Sequence, residues 1–438
     1  MKKSFSRIWV LVYLTALAVP TFCFIAASLI LFNQNELQIR VQDGSVAAQD
    51  FVHYYIFGRM AASPDAHLVY SEVAQSRWFH DLVLQITGFS TSQSYWCLFA
   101  PMVFPFCLPL ALMSLKQAFI AFVILSALAL FSCFPLALNA LGKRSFASNA
   151  AIIFCLIANT QGLLSIAKGQ PSFLLLALES LFFWGWIKRK DWVTGLAIGI
   201  LFFKPHYGLF FVTPILMARR WKALLVCTLT TALLMFLGGL IIGFDNVINF
   251  PQIITQKDIG SCLGMVSLRY LATLYFPDLL ALHISLGIMV VGLILNVIMW
   301  WQGEKHALDQ TWLICCTTLI CILASPHTYH YDLIMLGLLA VSIIPARSQQ
   351  KPLAKVSYAA YRTLLIASPG LYWISILVLP KIGEVGSPYD PIQSIISIVL
   401  NFTLLALALV CLFDKPTKSV SETETDTETA TETNTCTH

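Results

Sequence analysis

The sequence predicts an all-α polytopic membrane protein, and three observations carry that prediction. Only 11% of the 438 residues are charged, against 58% hydrophobic, whereas a soluble domain carries about 25% charged residues. The apolar residues fall in uninterrupted runs long enough to cross a bilayer. Short basic clusters, rather than mixed polar stretches, separate those runs. A soluble enzyme, a nucleic-acid binder and a disordered regulator are therefore excluded. Ten of the twelve cysteines, from Cys23 to Cys411, lie inside or at the ends of apolar runs, with Cys262 in a polar loop and Cys436 in the tail. With no CxxC spacing, they read as small hydrophobes rather than a disulfide framework or a zinc site.

Each element follows from length and charge. The first run, Ile8 to Phe32, exceeds the roughly 20 residues a span needs and is preceded by Lys2, Lys3 and Arg7. No small-residue cleavage pattern follows it, so it reads as an uncleaved helix with a cytoplasmic N-terminus. Further basic clusters recur at Lys143-Arg144, Lys188-Arg189-Lys190, Arg219-Arg220 with Lys222, Arg347 with Lys351 and Lys355, and Lys415 with Lys418. Placing all of them on the cytoplasmic side constrains the chain between them. The stretch from Trp192 to Ala218 is only 27 residues long, so it enters and leaves on one side as a hairpin of two half-length helices. Its tip is Lys204-Pro205-His206. The stretch from Thr311 to Ala346 behaves likewise, with its tip at Ser325 to Asp332.

Backbone that turns inside a bilayer is tolerated where it is buried in protein or lines a wet cavity. Two such tips facing outward predict a water-accessible cavity there. The expected architecture resembles a bundle of about twelve membrane segments, near 8–32, 117–140, 147–166, 171–187, 192–203, 206–218, 223–243, 279–301, 311–325, 332–346, 359–380 and 392–413. Pro101 to Met113 reads as re-entrant or interfacial. The expected organisation is a membrane domain over 1–415, with outer loops at 33–95 and 244–278, and a disordered Thr- and acid-rich cytoplasmic tail at 416–438. The tail carries Glu422, Glu424, Asp426, Glu428 and Glu432. Without it, 26 basic residues face 17 acidic ones, a net charge of +9 rather than +5.

Ionisable residues at membrane segments are expensive and mark function by default. Asp50 opens a stretch running to Ala62, in which Phe51, Tyr54, Tyr55 and Met60 are expected to lie on the membrane. An acid beside aromatics at a cavity rim suits a general base; a helix cap is the other reading of the same residue. Lys168-Gly169-Gln170 sits between two spans. Lys204, twelve residues into an apolar run, either snorkels outward or faces an anion, and Pro205 beside it favours a polar cavity. His327, His330 and Asp332 lie within six residues. A metal site is conceivable there, but the spacing follows a proline in a turn with no third histidine close by, so hydrogen bonding to a polar substrate is preferred. Arg269, in Ser267-Leu268-Arg269, suits a phosphate or is a surface arginine. Together, a base, several cations and aromatics suit a reaction in which a sugar leaves a phosphate carrier, with the cations stabilising the departing phosphate.

These residues carry a resemblance. Asp50-Phe51 with the following aromatic pair and Gly58-Arg59, then Tyr70, Gly169-Gln170, Ala197-Ile198-Gly199 leading to Lys204-Pro205 and Arg219-Arg220-Trp221, and Ser325-Pro326-His327 with Tyr331-Asp332-Leu333 occur in order at fitting spacings. From about Ile8 to Phe413 the chain resembles the GT-C glycosyltransferases, specifically glycosyltransferase family 87, the polyprenyl-phosphate-mannose-dependent alpha-mannosyltransferase-like proteins. Some members carry a Trp-x-His-like segment where this chain has Tyr329-His330-Tyr331-Asp332. The resemblance implies an inverting hexosyltransferase, with mannose the expected sugar, using a polyprenyl-phosphate donor and a lipid-linked or surface glycan acceptor on the outer face of the cytoplasmic membrane. The family's catalytic acid matches Asp50. Lys204, Arg269 and Lys168 would hold the donor phosphate. Gln170, His206, His327, His330, Tyr331, Asp332, Tyr54 and Tyr55 would line the sugar or acceptor site. No metal or other cofactor is expected, and the partners are the bilayer, donor and acceptor, with no nucleic acid. Both termini are expected in the cytoplasm. Two other readings stay open: a transporter or flippase of lipid-linked sugars, which also needs half-helices and a cationic cavity, and a non-catalytic family member.

Overall fold

The computed structural model describes residues 39–40, 45–46, 49–87, 98–142, 149–150, 152–153, 156, 165–166, 168–256, 265–343, 352–377 and 391–413. The expected first span near 8–32, most of the segment near 147–166, Cys262 and the tail 416–438 lie outside these residues. Within them the protein is helical, apart from a two-residue antiparallel pairing of Ile39–Arg40 with Ser45–Val46 and a bridge between Met265 and Tyr329. An all-α polytopic membrane protein is thus what the chain forms. The seven cysteines among the described residues (Cys107, Cys133, Cys227, Cys315, Cys316, Cys321 and Cys411) are buried and form no disulfide, as small hydrophobes would be.

Helix α1 (Gln49–Ala61) holds Asp50 in its first turn and Arg59 in its last, each at the end whose dipole favours it. It does not rest on a lipid surface as the sequence suggested. Phe51, Tyr54, Tyr55 and Met60 are all buried in protein, with Phe51 edge-on to Phe119 at 5.2 Å and Tyr54 stacked on Phe99 at 4.1 Å. Gly58 shows how closely the chain wraps the helix: a Cβ there would stand 2.2 Å from the carbonyl oxygen of Cys107. That carbonyl belongs to the expected non-crossing segment, which forms three short helical turns, Pro101–Val103, Phe104–Cys107 and Leu108–Leu112, each with a proline in its first two positions. Proline is tolerated there because the amide it lacks would be unpaired anyway. Helix α2 (Glu72–Thr87) completes the described part of the first loop.

The membrane core follows. Helix α3 (Leu115–Leu141) starts at a Ser114/Gln117 capping box. Then come α4 (Ser172–Ile187), α5 (Asp191–Leu201), α6 (Pro205–Met217), α7 (Trp221–Ile242), α8 (Phe244–Gln256), α9 (Leu268–Thr273), α10 (Asp278–His306), α11 (Gln310–Ala324), a 3₁₀ segment His330–Ile343, α12 (Pro352–Leu377) and α13 (Pro391–Phe413). Among the described residues four helices are long and apolar enough to cross a membrane: α3, α7, α10 and Ser394–Phe413 of α13. Helices α5 and α6, with 11 and 13 residues, reach only about 17–20 Å at 1.5 Å per residue. They are the two arms of the expected first hairpin. The second hairpin pairs α11 with the 3₁₀ segment, whose steeper rise of about 2 Å per residue lets its 14 residues reach farther than an α-helix of equal length.

One contact tests the hairpin reading directly. The chain turns between α4 and α5 at Arg189 (φ 54°) and between α6 and α7 at Arg219 (φ 53°). Arg220 donates from Nε to Asp191 Oδ1 at 2.7 Å, and its guanidinium lies 4.5 Å from the Trp186 ring centroid. Residues 188–191 and 219–222 are therefore at one end of the bundle, so α5 and α6 leave and return to the same side. Packing keeps them there. Gly195 and Gly199 of α5 face α7, where Cβ atoms would meet the Ala223 carbonyl at 2.2 Å and Thr230 Cβ at 2.6 Å. This small-xxx-small seam lets two backbones approach where lipid supplies no hydrophobic drive. Buried polar bonds join the other faces: Asn296 of α10 donates to the Phe210 carbonyl of α6 at 2.9 Å, and Thr317 of α11 donates to Asn296 at 2.9 Å.

Candidate active site

The two hairpin tips meet. The chain leaves α5, turns at Lys204 and restarts helix at Pro205. Its partner leaves α11 at Ser325 and turns so that the amide of Tyr329 faces Asp332 Oδ2 at 3.3 Å, while the Asp332 amide donates to the Tyr329 carbonyl at 2.9 Å. Lys204 Nζ then sits 2.6 Å from Asp332 Oδ1, an ion pair in which the carboxylate is wholly buried. Tyr207 donates its hydroxyl to Thr328 at 3.2 Å, and the His206 and His327 rings lie 6.3 Å apart. Lys204 Nζ is also 5.5 Å from the ring centroids of both Tyr207 and Tyr331, and Tyr329 stacks on Tyr331 at 5.3 Å. A largely buried cation beside two tyrosines, with a third stacked on one of them, is the result.

A third strand of chain closes the tips from the second loop. The Val266 amide donates to the Thr328 carbonyl at 2.9 Å, and the ladder runs on through the Met265–Tyr329 bridge. This pairing delivers Arg269, in the first turn of α9, against the second tip. Arg269 is buried and donates from Nη1 to the Pro326 carbonyl at 3.2 Å. Of the two sequence readings, a surface arginine is thus removed.

Asp50 arrives from α1. Its Oδ2 accepts from Gln170 Nε2 at 2.8 Å, across 120 residues of sequence. Gln170 is the last residue of a helix-terminating turn: its amide donates to the Ser165 carbonyl at 2.8 Å and the Gly169 amide to the Ile166 carbonyl at 3.0 Å. That double bond pattern requires a left-handed residue, and Gly169 supplies it with φ 76°. Two residues on, the Ser172 hydroxyl stands 3.5 Å from Asp332 Oδ1, which ties this turn to the ion pair. Burial raises the Asp50 carboxyl above the ordinary carboxylate range. The Gln170 hydrogen bond and the charges of Lys168 and Lys204 pull the other way, while Asp332 adds to the rise. The acid is thus set among the groups the sequence singled out.

Asp50, Lys168, Gln170, Lys204, His206, Arg269, His327, Tyr331 and Asp332 therefore form one neighbourhood, with Arg269 and Lys204 within electrostatic reach of His327, and Tyr54 within reach of Tyr331. Tyr55 points elsewhere. Its hydroxyl donates to the Met113 carbonyl at 3.0 Å, and its ring lines a separate cavity of about 320 Å³ with Arg59, Arg77 and Trp78. His330 is buried with neither ring nitrogen hydrogen-bonded among the described residues. From sequence alone no role attaches to Ser165, Tyr207, Thr328 or Tyr329. Tyr207, Thr328 and Tyr329 each adjoin a singled-out histidine, and the last two lie within the singled-out tip.

Among the described residues no group of three His, Cys, Asp or Glu side chains is placed to hold a metal ion. A family model described as glycosyltransferase family 87 matches residues 98–326, just over half of the chain. The matched segment contains Lys168, Gln170, Lys204, His206 and Arg269 and ends one residue before His327, with Asp50 outside it. No curated protein matches the chain.

Proposed function

Because the chain belongs to glycosyltransferase family 87, and so is a membrane glycosyltransferase, we propose that it is an inverting hexosyltransferase. It takes its sugar, mannose on the family's precedent, from a polyprenyl-phosphate donor and passes it to a lipid-linked or surface glycan acceptor. The reaction is placed on the outer face of the cytoplasmic membrane. The basic clusters joined by the Arg220–Asp191 pair then face the cytoplasm, along with both termini, and the paired tips face outward.

The observation that carries this reading is the charge balance around Asp50. Three cations, Lys168, Lys204 and Arg269, share the neighbourhood with two carboxylates, Asp50 and Asp332. One net positive charge remains, which complements the single negative charge of a sugar phosphodiester. In the reaction Asp50 takes the proton of the acceptor hydroxyl as that oxygen attacks the anomeric carbon. The bond from that carbon to the phosphate oxygen breaks, and its electron pair leaves with the polyprenyl phosphate. A single displacement inverts the anomeric centre. Asp50 is then neutral, so the neighbourhood carries two net positive charges against a phosphate monoester tending to two negative ones. The site is complementary to the charge that develops, which is the arrangement that accelerates a step. Tyr54, Tyr331, His206, His327 and His330 supply ring faces and hydrogen-bonding nitrogens for the sugar and acceptor. In this reading the three cations supply the charge stabilisation that a divalent ion would otherwise give, and no metal takes part.

Asp50→Asn keeps the shape and removes the base. In vesicles supplied with labelled polyprenyl-phosphate hexose, turnover is expected to fall by about 10²-fold or more, with expression intact; unchanged turnover would remove Asp50 from the mechanism. Since the base acts as the carboxylate and its pKa is raised, the acid limb of the wild-type pH profile should lie above the ordinary carboxylate value. Activity should survive EDTA, and a loss restored by Mg²⁺ or Mn²⁺ would refute the metal-free reading.

A further inference from the structure

We infer that Gln170 is a positioning residue, which holds the Asp50 carboxylate in the orientation for proton abstraction rather than contacting the sugar. The inference rests on the reading of Asp50 as the base. Its side-chain amide donates to Oδ2 of Asp50 at 2.8 Å, which leaves Oδ1 to receive the acceptor's proton.

The surroundings of Gln170 are built to keep that amide in place. Its backbone is clamped twice by one residue: the Gln170 amide donates to the Ser165 carbonyl at 2.8 Å, and the Ser165 hydroxyl donates to the Gln170 carbonyl at 2.6 Å. Both residues are buried. Gly169, immediately before, lies directly against the helix that carries Asp50. A Cβ at this glycine would stand 2.4 Å from Phe51 Cβ and 2.5 Å from the Phe51 amide nitrogen. The absence of a side chain lets the turn seat on the residue next to the base, so the distance between Gln170 and Asp50 is set by backbone packing. Such a supporting shell is what keeps a reacting group within a few tenths of an ångström of its productive geometry.

A hydrogen bond donated to a carboxylate also favours its charged form. Asp50 is faced by Lys168, Lys204, Asp332 and Tyr331 as well as by Gln170, and of these Gln170 makes the direct bond. Removing the amide should therefore lower the rate and shift the titration together, a pairing that a purely structural residue would not produce.

The test compares Gln170→Ala, Gln170→Glu and Asp50→Asn in the full-length protein, reconstituted in vesicles with labelled polyprenyl-phosphate hexose. For Gln170→Ala, kcat is expected to fall roughly 10- to 100-fold, the value of one hydrogen bond to a charged group. The donor KM should be unchanged and the acid limb of kcat/KM displaced to higher pH. Gln170→Glu keeps the shape and so guards against misfolding. It sets a second carboxyl against Asp50, the two share a proton, and the limb should move farther in the same direction, with activity returning at alkaline pH. An unmoved limb in Gln170→Glu, its inactivity at every pH, or a rise in KM alone would overturn the inference, the last by making Gln170 a substrate contact. Full activity in Asp50→Asn would instead overturn the reading of the base. Loss in Asp50→Asn with an unmoved limb in the Gln170 variants would remove the positioning role alone.

Discussion

The two ends of the short-helix hairpin α5–α6 each carry an ion pair, and the pairs differ in what surrounds them. At the turn end, Arg220 meets Asp191 with its guanidinium on the Trp186 ring, and the Asp191 side chain is 31% exposed. At the tip end, Lys204 meets an Asp332 side chain with no exposure at all. The first pair is a staple between two turns: a planar, delocalised cation suits stacking and forked bonding, and nearby water limits what the contact contributes. The second is a compact ammonium against a desolvated carboxylate. Such a pair adds little net stability over an apolar replacement but costs much to break. A fold that needed only to be held would not choose it, whereas a site that must present positive charge to a phosphate has reason to.

Breaking the tip pair should give the largest effect. Lys204→Met leaves Asp332 buried and unpaired, which should cost about 3 kcal/mol in thermal unfolding of the detergent-solubilised protein, and should abolish transfer. Adding Asp332→Asn to that variant removes the stranded charge. Stability should recover in part while activity stays lost, which would separate the charge needed for chemistry from the contact needed for folding. A double variant as unstable as the single would contradict the desolvation account. The turn pair should matter less: Arg220→Ala should cost about 1 kcal/mol, read as a lowered Tm, with transfer retained. Smallest is the response to salt. Raising ionic strength to 1 M shortens the screening length to about 3 Å, so the penalty for Arg220→Ala should shrink while that for Lys204→Met stays. Equal salt sensitivity would erase the contrast between the two ends.

What was legible in the sequence follows the same division. Both hairpins could be read from the spacing of basic clusters, because neither 27 nor 36 residues can cross a bilayer twice at full length. The tip residues followed from where the hairpins turn. The company they keep did not. The Asp50–Gln170 bond joins segments whose contact depends on the fold, and Ser165 had no local mark. Arg269 carried two readings because burial in a loop is decided by pairing partners, here residues 326–329. Tyr54 and Tyr55 are buried, not on a membrane surface; the expectation of a membrane face assumes a one-sided stretch. Helix α1 is covered by Phe99, Phe104 and Phe119 as well, and periodicity is silent about a helix wrapped all round.

Arg189 and Arg219 hold left-handed backbone that costs a side-chain-bearing residue about 1 kcal/mol or more. Glycine would adopt the same turns without strain. Glycine, however, carries no charge, and both positions lie in basic clusters of the kind that hold an inserting chain's loops on the cytoplasmic side. In the proposed orientation these two arginines serve the polypeptide before it has folded. The finished protein bears a strained joint at each, because the residue best suited to the turn is not the one that tells the inserting chain which way to face.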